Sequence, residues 1–133
     1  MTKPQIVVAG DANGKFATVR YTPNGALDTS FNGTGIVVKT VAGANNLAHA
    51  VLVQPDDKIV AVGEVDPGQS NDFALVRYHP NGTLDTGFNG TGSVVTDLLG
   101  SDTNDFAYAA ALQPDGKIVA AGAINTGTSD FAV

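Results

Sequence analysis

The stretch Phe73-Ala-Leu-Val-Arg77-Tyr78-His-Pro-Asn81-Gly82-Thr-Leu84-Asp85-Thr-Gly-Phe88-Asn89-Gly90-Thr91-Gly92 decides the fold, because the chain contains it twice. Its earlier copy runs Phe16-Ala-Thr-Val-Arg20-Tyr21-Thr-Pro-Asn24-Gly25-Ala-Leu27-Asp28-Thr-Ser-Phe31-Asn32-Gly33-Thr34-Gly35. A second element repeats in step with it. Gln54-Pro-Asp56-Asp57-Lys58-Ile59-Val-Ala-Val-Gly63 returns as Gln113-Pro-Asp115-Gly116-Lys117-Ile118-Val-Ala-Ala-Gly122, and a related Ile-Val-Val-Ala-Gly stands at Ile6 to Gly10. A unit of roughly 60 residues repeated in this way points to a propeller or a solenoid.

Outward from these copies, each unit contains four short stretches that are β-branched or alternating and bounded by turn residues. In the last unit they are Ser93 to Leu98, Phe106 to Gln113, Lys117 to Ala123, and Asp130 onward. Gly or Pro interrupts every window of helical length, which disfavours helix. Gln-Pro-Asp-Gly-Lys and Asp11-Ala-Asn13-Gly14-Lys15 read as tight hairpin connections, with Gly or Asn taking the positive φ. The stretch from Tyr to Gly-Thr-Gly is longer than a hairpin needs and predicts the crossing between blades. That puts Ile36 to Thr40 and Ser93 to Leu98 innermost, and Phe16 to Tyr21 and Phe73 to Tyr78 outermost. The expected fold is all-β, made of four-stranded antiparallel β-propeller blades in an open arc or part of a larger or oligomeric propeller. A linear β-solenoid is the rival. The single repeat domain, 1–133, divides into a half blade 1–22, a blade 23–79, and a blade 80–133 truncated at its outer strand.

Composition narrows the function classes. Of 133 residues 43% are hydrophobic, enough for one domain with a real core. The net charge is −6, and Lys3, Lys15, Arg20, Lys39, Lys58, Arg77 and Lys117 are dispersed rather than clustered. Nucleic acid and anionic membrane surfaces are therefore poor partners. There is no cysteine, hence no disulfide frame, thiolate metal site or thiol nucleophile. Met1 to Ile6 runs straight into a β-type stretch with no signal peptide, and no apolar run is long enough for a membrane helix.

Leu-Asp-Thr-Ser-Phe-Asn-Gly-Thr-Gly from Leu27, its echo from Leu84, and Gln-Pro-Asp-Gly-Lys-Ile-Val from Gln113 resemble the delta-60 repeat of bacterial propeller-type proteins. The resemblance covers essentially the whole chain. It implies propeller blades, often in large secreted or cell-surface proteins, and brings no activity, cofactor or catalytic residue with it. Asp57 departs from the pattern, since Gly116 stands there in the second copy and a strained turn follows.

Candidate residues fall into a few groups. Arg20 and Arg77 share a strand face with Phe16 and Phe73, and Asp28 and Asp85 follow each at the same distance. Anion binding near the axis is the functional reading, but repetition in both units favours structural ion pairs that offset desolvation of the guanidinium. Asp56, Asp57, Asp115 and Gly116 are turn residues. His49, where the other copy has Tyr108, and His79, where it has Thr22, lack the spacing of a metal site. Asp102, Asn104 and Asp105 form an oxygen-rich loop able to hold calcium, though Gly43, Asn45 and Asn46 occupy its counterpart and turn chemistry explains both. Asn32, Asn81 and Asn89 open Asn-Gly-Thr sequons, which matter only in a secretory host.

No catalytic residue, cofactor or metal is expected. The leading function is a non-catalytic structural or interaction module. Its rigid blades present the variable loops Glu64 to Asn71 and Ile124 to Ser129 to a protein or glycan partner. A carbohydrate-binding propeller is the alternative, weakened by the absence of Trp. A propeller enzyme is a second alternative, and would need polar residues on inner strands where Ile36, Val37, Val38, Ser93, Val94 and Val95 offer almost none. Apolar faces at both ends of the arc predict association with further blades of the same protein or with other copies of the chain.

Overall fold

The computed structural model describes residues 4–100 and 103–133. Among the described residues ten strands form three antiparallel sheets. The first sheet holds β1 (Ile6–Asp11), β2 (Phe16–Tyr21) and β3 (Ile36–Lys39). The second holds β4 (Asn46–Val53), β5 (Ile59–Val65), β6 (Asp72–Tyr78) and β7 (Ser93–Thr96). The third holds β8 (Asn104–Leu112), β9 (Ile118–Asn125) and β10 (Ser129–Ala132). Strands run in chain order across each sheet, as in propeller blades, and the three sheets do not close into a ring.

The strand at the inner edge is not the one the spacing suggests. Ile36 to Thr40 and Ser93 to Leu98 do not begin blades, because β3 pairs with β2 and β7 with β6, which makes them the last strands of the sheets that precede them. The reason lies in the long loops, which double back on their own strand ends instead of crossing between sheets. Asp85 N donates to Arg77 O at 2.9 Å, His79 N to Thr83 O at 2.8 Å, and Arg77 N to Gly92 O at 2.9 Å. The loop after β2 repeats this with Asp28 N to Arg20 O and Arg20 N to Gly35 O, each at 2.9 Å. The boundaries at 22/23 and 79/80 therefore fall inside loops that join two strands of one sheet. Short links following Lys39 and Thr96 lead from sheet to sheet, and the sheets converge on β4 and β8.

Burial follows from the stacking. Every residue of β5 is buried, because the second sheet is covered on both faces. Alternation divides its side chains: Ile59, Ala61 and Val65 join Phe16, Phe31, Val76 and Tyr78 against the first sheet. Val60 and Val62 join Phe73, Ala107 and Ala132 against the third. The counterpart strands β1 and β9 carry similar apolar runs, but each lies in a sheet covered on one face only and stays half-exposed.

Both complete inner edges carry a bulge. The β4–β5 register shifts between Ala48 and Ala50, and the β8–β9 register between Ala107 and Ala109. Opposite each bulge stands a glycine whose missing side chain admits the partner backbone: a Cβ on Gly63 would meet Leu47 O at 1.9 Å, and one on Gly122 would meet Phe106 O at 1.6 Å. The bulge leaves His49 and Tyr108 without a cross-strand partner, on the edge where the sheets converge.

Candidate functional site

The arginines sit where the long loops close. Arg77 Nε donates to Asp85 Oδ2 at 2.7 Å, and its guanidinium lies over the Phe88 ring at 4.5 Å. Asp85 also receives the Gly87 N–H at 3.1 Å and lies 3.3 Å from Lys58 Nζ and 3.5 Å from His79 Nε2. Burial raises the Asp85 carboxyl, but hydrogen bonds and charge from Lys58 and Arg77 outweigh it and hold it below the usual range. In the first copy Arg20 Nε lies 2.9 Å from Asp28 Oδ2 as a charge contact rather than an aligned hydrogen bond. Its other nitrogens donate to Pro80 O at 2.5 Å and Ser30 Oγ at 2.9 Å, and the group lies 4.8 Å over Phe31. The bond to Ser30 chiefly, with help from Arg20, lowers the Asp28 carboxyl despite some desolvation. Each guanidinium is occupied by its own loop, and Arg20 also ties the first long loop to the second.

The turn residues behave as a repeated device. Gln54 N donates to Lys58 O at 2.8 Å, and Gln113 N to Lys117 O at 2.8 Å. Asp56 Oδ1 accepts the Lys58 N–H at 3.3 Å and Asp115 Oδ1 the Lys117 N–H at 3.1 Å. Asp57 has φ 64° where Gly116 has φ 84°, so the aspartate does adopt the left-handed conformation. Lys58 reaches Asp56 as well as Asp85, each at 3.3 Å, and so joins the hairpin to the long loop.

Two groupings were not legible in the repeat. His49 Nε2 lies 2.9 Å from Glu64 Oε2, with the Glu64 side chain buried and the His49 ring 5.4 Å from that of exposed Tyr108. Tyr108 stacks on Phe106 at 5.9 Å. The inner strands therefore do carry polar groups, and Ile36, Val37, Val38, Ser93, Val94 and Val95, expected innermost, lie on the last strands of their sheets instead. Second, Asp72, Asp97 and Asp105 converge, with one oxygen of each within 4.8 Å of the others. They line or adjoin a cleft bounded by Pro67, Gly68, Gln69 and Ser70. The loop there is 66–71; Glu64 and Val65 belong to β5, as Ile124, Asn125 and Ser129 belong to β9 and β10. Of the expected oxygen-rich loop, Asp102 lies outside the described residues. Asn104 Oδ1 is engaged by the Asn71 N–H at 2.9 Å, and Asp105 Oδ2 by the Leu98 N–H at 2.7 Å.

Compared with known families, residues 5–31, 54–88 and 113–133 match the one described as "Domain of unknown function (DUF5122) beta-propeller". The chain belongs to this family. No curated protein and no solved structure matches it. The DUF5122 match takes in the hairpin and long-loop residues Arg20, Asp28, Asp56, Asp57, Arg77, Asp85, Asp115 and Gly116. The bulge residues His49 and Tyr108 lie outside it, as do Asp97 and Asp105. Glu64, loop 66–71 and Asp72 fall within the DUF5122 match.

Proposed function

We propose that this propeller segment is a non-catalytic structural and interaction module, presenting loop 66–71 and the adjoining cleft to a protein partner. The observation that carries this reading is the contrast between copies. The Pro-Asp turn and the strand with its long loop repeat almost residue for residue, while the connection between the second and third strands changes from the tight Ala12–Lys15 turn, closed by hydrogen bonds of 2.9 and 3.2 Å, to six residues at 66–71. A connection that varies on a constant scaffold is where recognition resides. The delta-60 resemblance supports a setting in a bacterial secreted or surface protein. Apolar side chains on the outer faces support neighbours that are further blades or further copies. The net charge of −6 supports a partner other than nucleic acid.

Carbohydrate binding is the second reading, and a specific grouping favours it: exposed Tyr108 and Phe131 flank Asp130 in a shallow groove on the third sheet. Against it, Phe131 corresponds to Phe73, which the next sheet covers, so blade packing accounts for the same surface. A photo-crosslinker at Gln69, compared with one at Asn24 in the repeated loop, tests the main reading. Protein adducts are expected from Gln69 and not from Asn24. Equal labelling from both sites, or selective binding on a glycan array that Tyr108→Ala abolishes, would overturn it.

A further inference from the structure

The junction between the second and third sheets gathers carboxylates from both. Asp72 opens β6, Asp97 follows β7, and Asp105 is the second residue of β8. Among the described residues none of the three belongs to an ion pair. Asp72 is 6% exposed, and its Oδ1 is buried with no hydrogen-bond partner. What faces Asp72 is like charge: burial first, then Asp97, Asp105 and Asp66, push its carboxyl above the usual range. A buried acceptor that no donor reaches, set among other acceptors, is costly unless a cation or a proton neutralises it.

The fold itself does not require these acids, because the first junction is built without them. There the corresponding residues are Lys15, Thr40 and Asn46. Asn46 Oδ1 accepts the N–H groups of Val41 at 2.8 Å and Ala42 at 3.1 Å, while its Nδ2 donates to Gly14 O at 3.0 Å. Asp105 keeps the accepting half of this role through Leu98 N, and its own N–H reaches Asn71 O at 2.6 Å as that of Asn46 reaches Gly14 O at 3.0 Å. A carboxylate cannot donate as Nδ2 does. Replacing a cation and two neutral groups by three carboxylates thus leaves the frame unchanged and creates an acceptor-only site.

We propose that this junction binds a calcium ion through Asp72, Asp97 and Asp105. All donors are oxygens, which selects a hard cation. They come from two strands and a link, in an irregular arrangement that suits the flexible shell of calcium better than the rigid octahedron of magnesium. Two oxygens on one calcium can lie up to about 5 Å apart, and the cluster lies within 4.8 Å. Water reaching the ion through the cleft beside loop 66–71 fills its remaining positions. The ion ties the second sheet to the third where the first junction uses an amide.

Calorimetric titration of the chain with calcium chloride tests this, alongside thermal unfolding with and without calcium. Saturable binding at a single site is expected at about 10⁻⁵–10⁻³ M, together with a calcium-dependent rise in the unfolding midpoint. Asp105→Asn installs the residue of the first junction, and Asp97→Thr changes an exposed position to its counterpart. Each should fold without calcium and bind it about tenfold more weakly or worse. Should Asp105→Asn fail to fold, Asp97→Thr decides. No saturable binding by the parent, unchanged affinity in the folded variants, or equal or tighter binding of magnesium chloride would overturn the proposal.

Discussion

At residue 57 the two copies of one turn can be compared directly. Asp57 and Gly116 both have positive φ, and each donates its N–H at 2.9 Å, to Gln54 O and to Gln113 O. A Cβ in this region is strained, though less so for aspartate than for most residues. Asp57→Gly should therefore raise stability by about 0.5 to 1 kcal/mol, read as a higher denaturant midpoint; an unchanged or lower midpoint would contradict the strained turn. Tyr78 supplies a second residue-level test. Its side chain is enclosed between the first two sheets, and burial pushes its phenol up to about 12, the Thr18 hydroxyl offsetting only part of this. The folded-state value lies above the unfolded one of about 10, so the stabilising contribution is complete below pH 10 and is lost as pH rises through 12. A shift of that size is worth roughly 3 kcal/mol. Urea midpoints of the parent should fall across this window, and those of Tyr78→Phe should fall less. Parallel profiles would mean that Tyr78 ionises as freely folded as unfolded. The Arg–Asp spacing and the Pro-Asp turns were readable because they recur. His49–Glu64 and the Asp72 cluster occur once and join residues distant in sequence, so of their members only Asp105, in the oxygen-rich loop, could be picked out from the sequence.

At the level of elements, the strands were legible and their partnership was not. Alternation and turn residues locate β7 to β10 to within a few residues. Loop length, however, suggested that Tyr78 to Ser93 crosses between blades, whereas hydrogen bonds back to Arg77 fold it onto its own sheet. Length alone cannot distinguish a crossing from a loop whose backbone groups are satisfied by the strand it leaves. The glycine in each Ile-Val-x-x-Gly strand shows what pairing demands. Gly63 faces the bulge of β4, where a Cβ would meet backbone oxygen at 1.9 Å, while its counterpart Gly10, on the open edge of β1, has nothing within 4 Å. Neither has positive φ, so conformational strain does not separate them. Gly63→Ala should cost roughly 2–4 kcal/mol as the inner strand is displaced, and Gly10→Ala should stay within about 0.5 kcal/mol of the parent. Denaturant unfolding of the two variants reads the difference. A tolerated Gly63→Ala would show that the bulge can shift away from β5.

For the molecule as a whole, the same positions have different surroundings in successive sheets, and this predicts how isolated chains behave. Phe73 is 6% exposed because the third sheet covers it, while Phe131 at the matching position is 98% exposed. On the opposite side Ile59 is fully buried against the first sheet, and its counterpart Ile6 is 48% exposed beside Val8. The outer face of the third sheet thus presents what a following sheet would cover, and the outer face of the first presents what a preceding sheet would cover. The two faces are those that meet within the chain at its own junctions, so a second copy offers each a surface of the right shape. Burying one large apolar side chain is worth roughly 1.5–3 kcal/mol, and several on each face favour head-to-tail association, which closes a ring or continues as a filament. Light scattering on the isolated 133-residue chain should therefore show a mass that rises with concentration. Phe131→Asp, which places a charge on one of the two faces and disturbs no buried contact, should return it toward the monomer. A parent that stays monomeric across the accessible concentrations would mean that these faces do not complement one another and that the chain does not associate with its own copies.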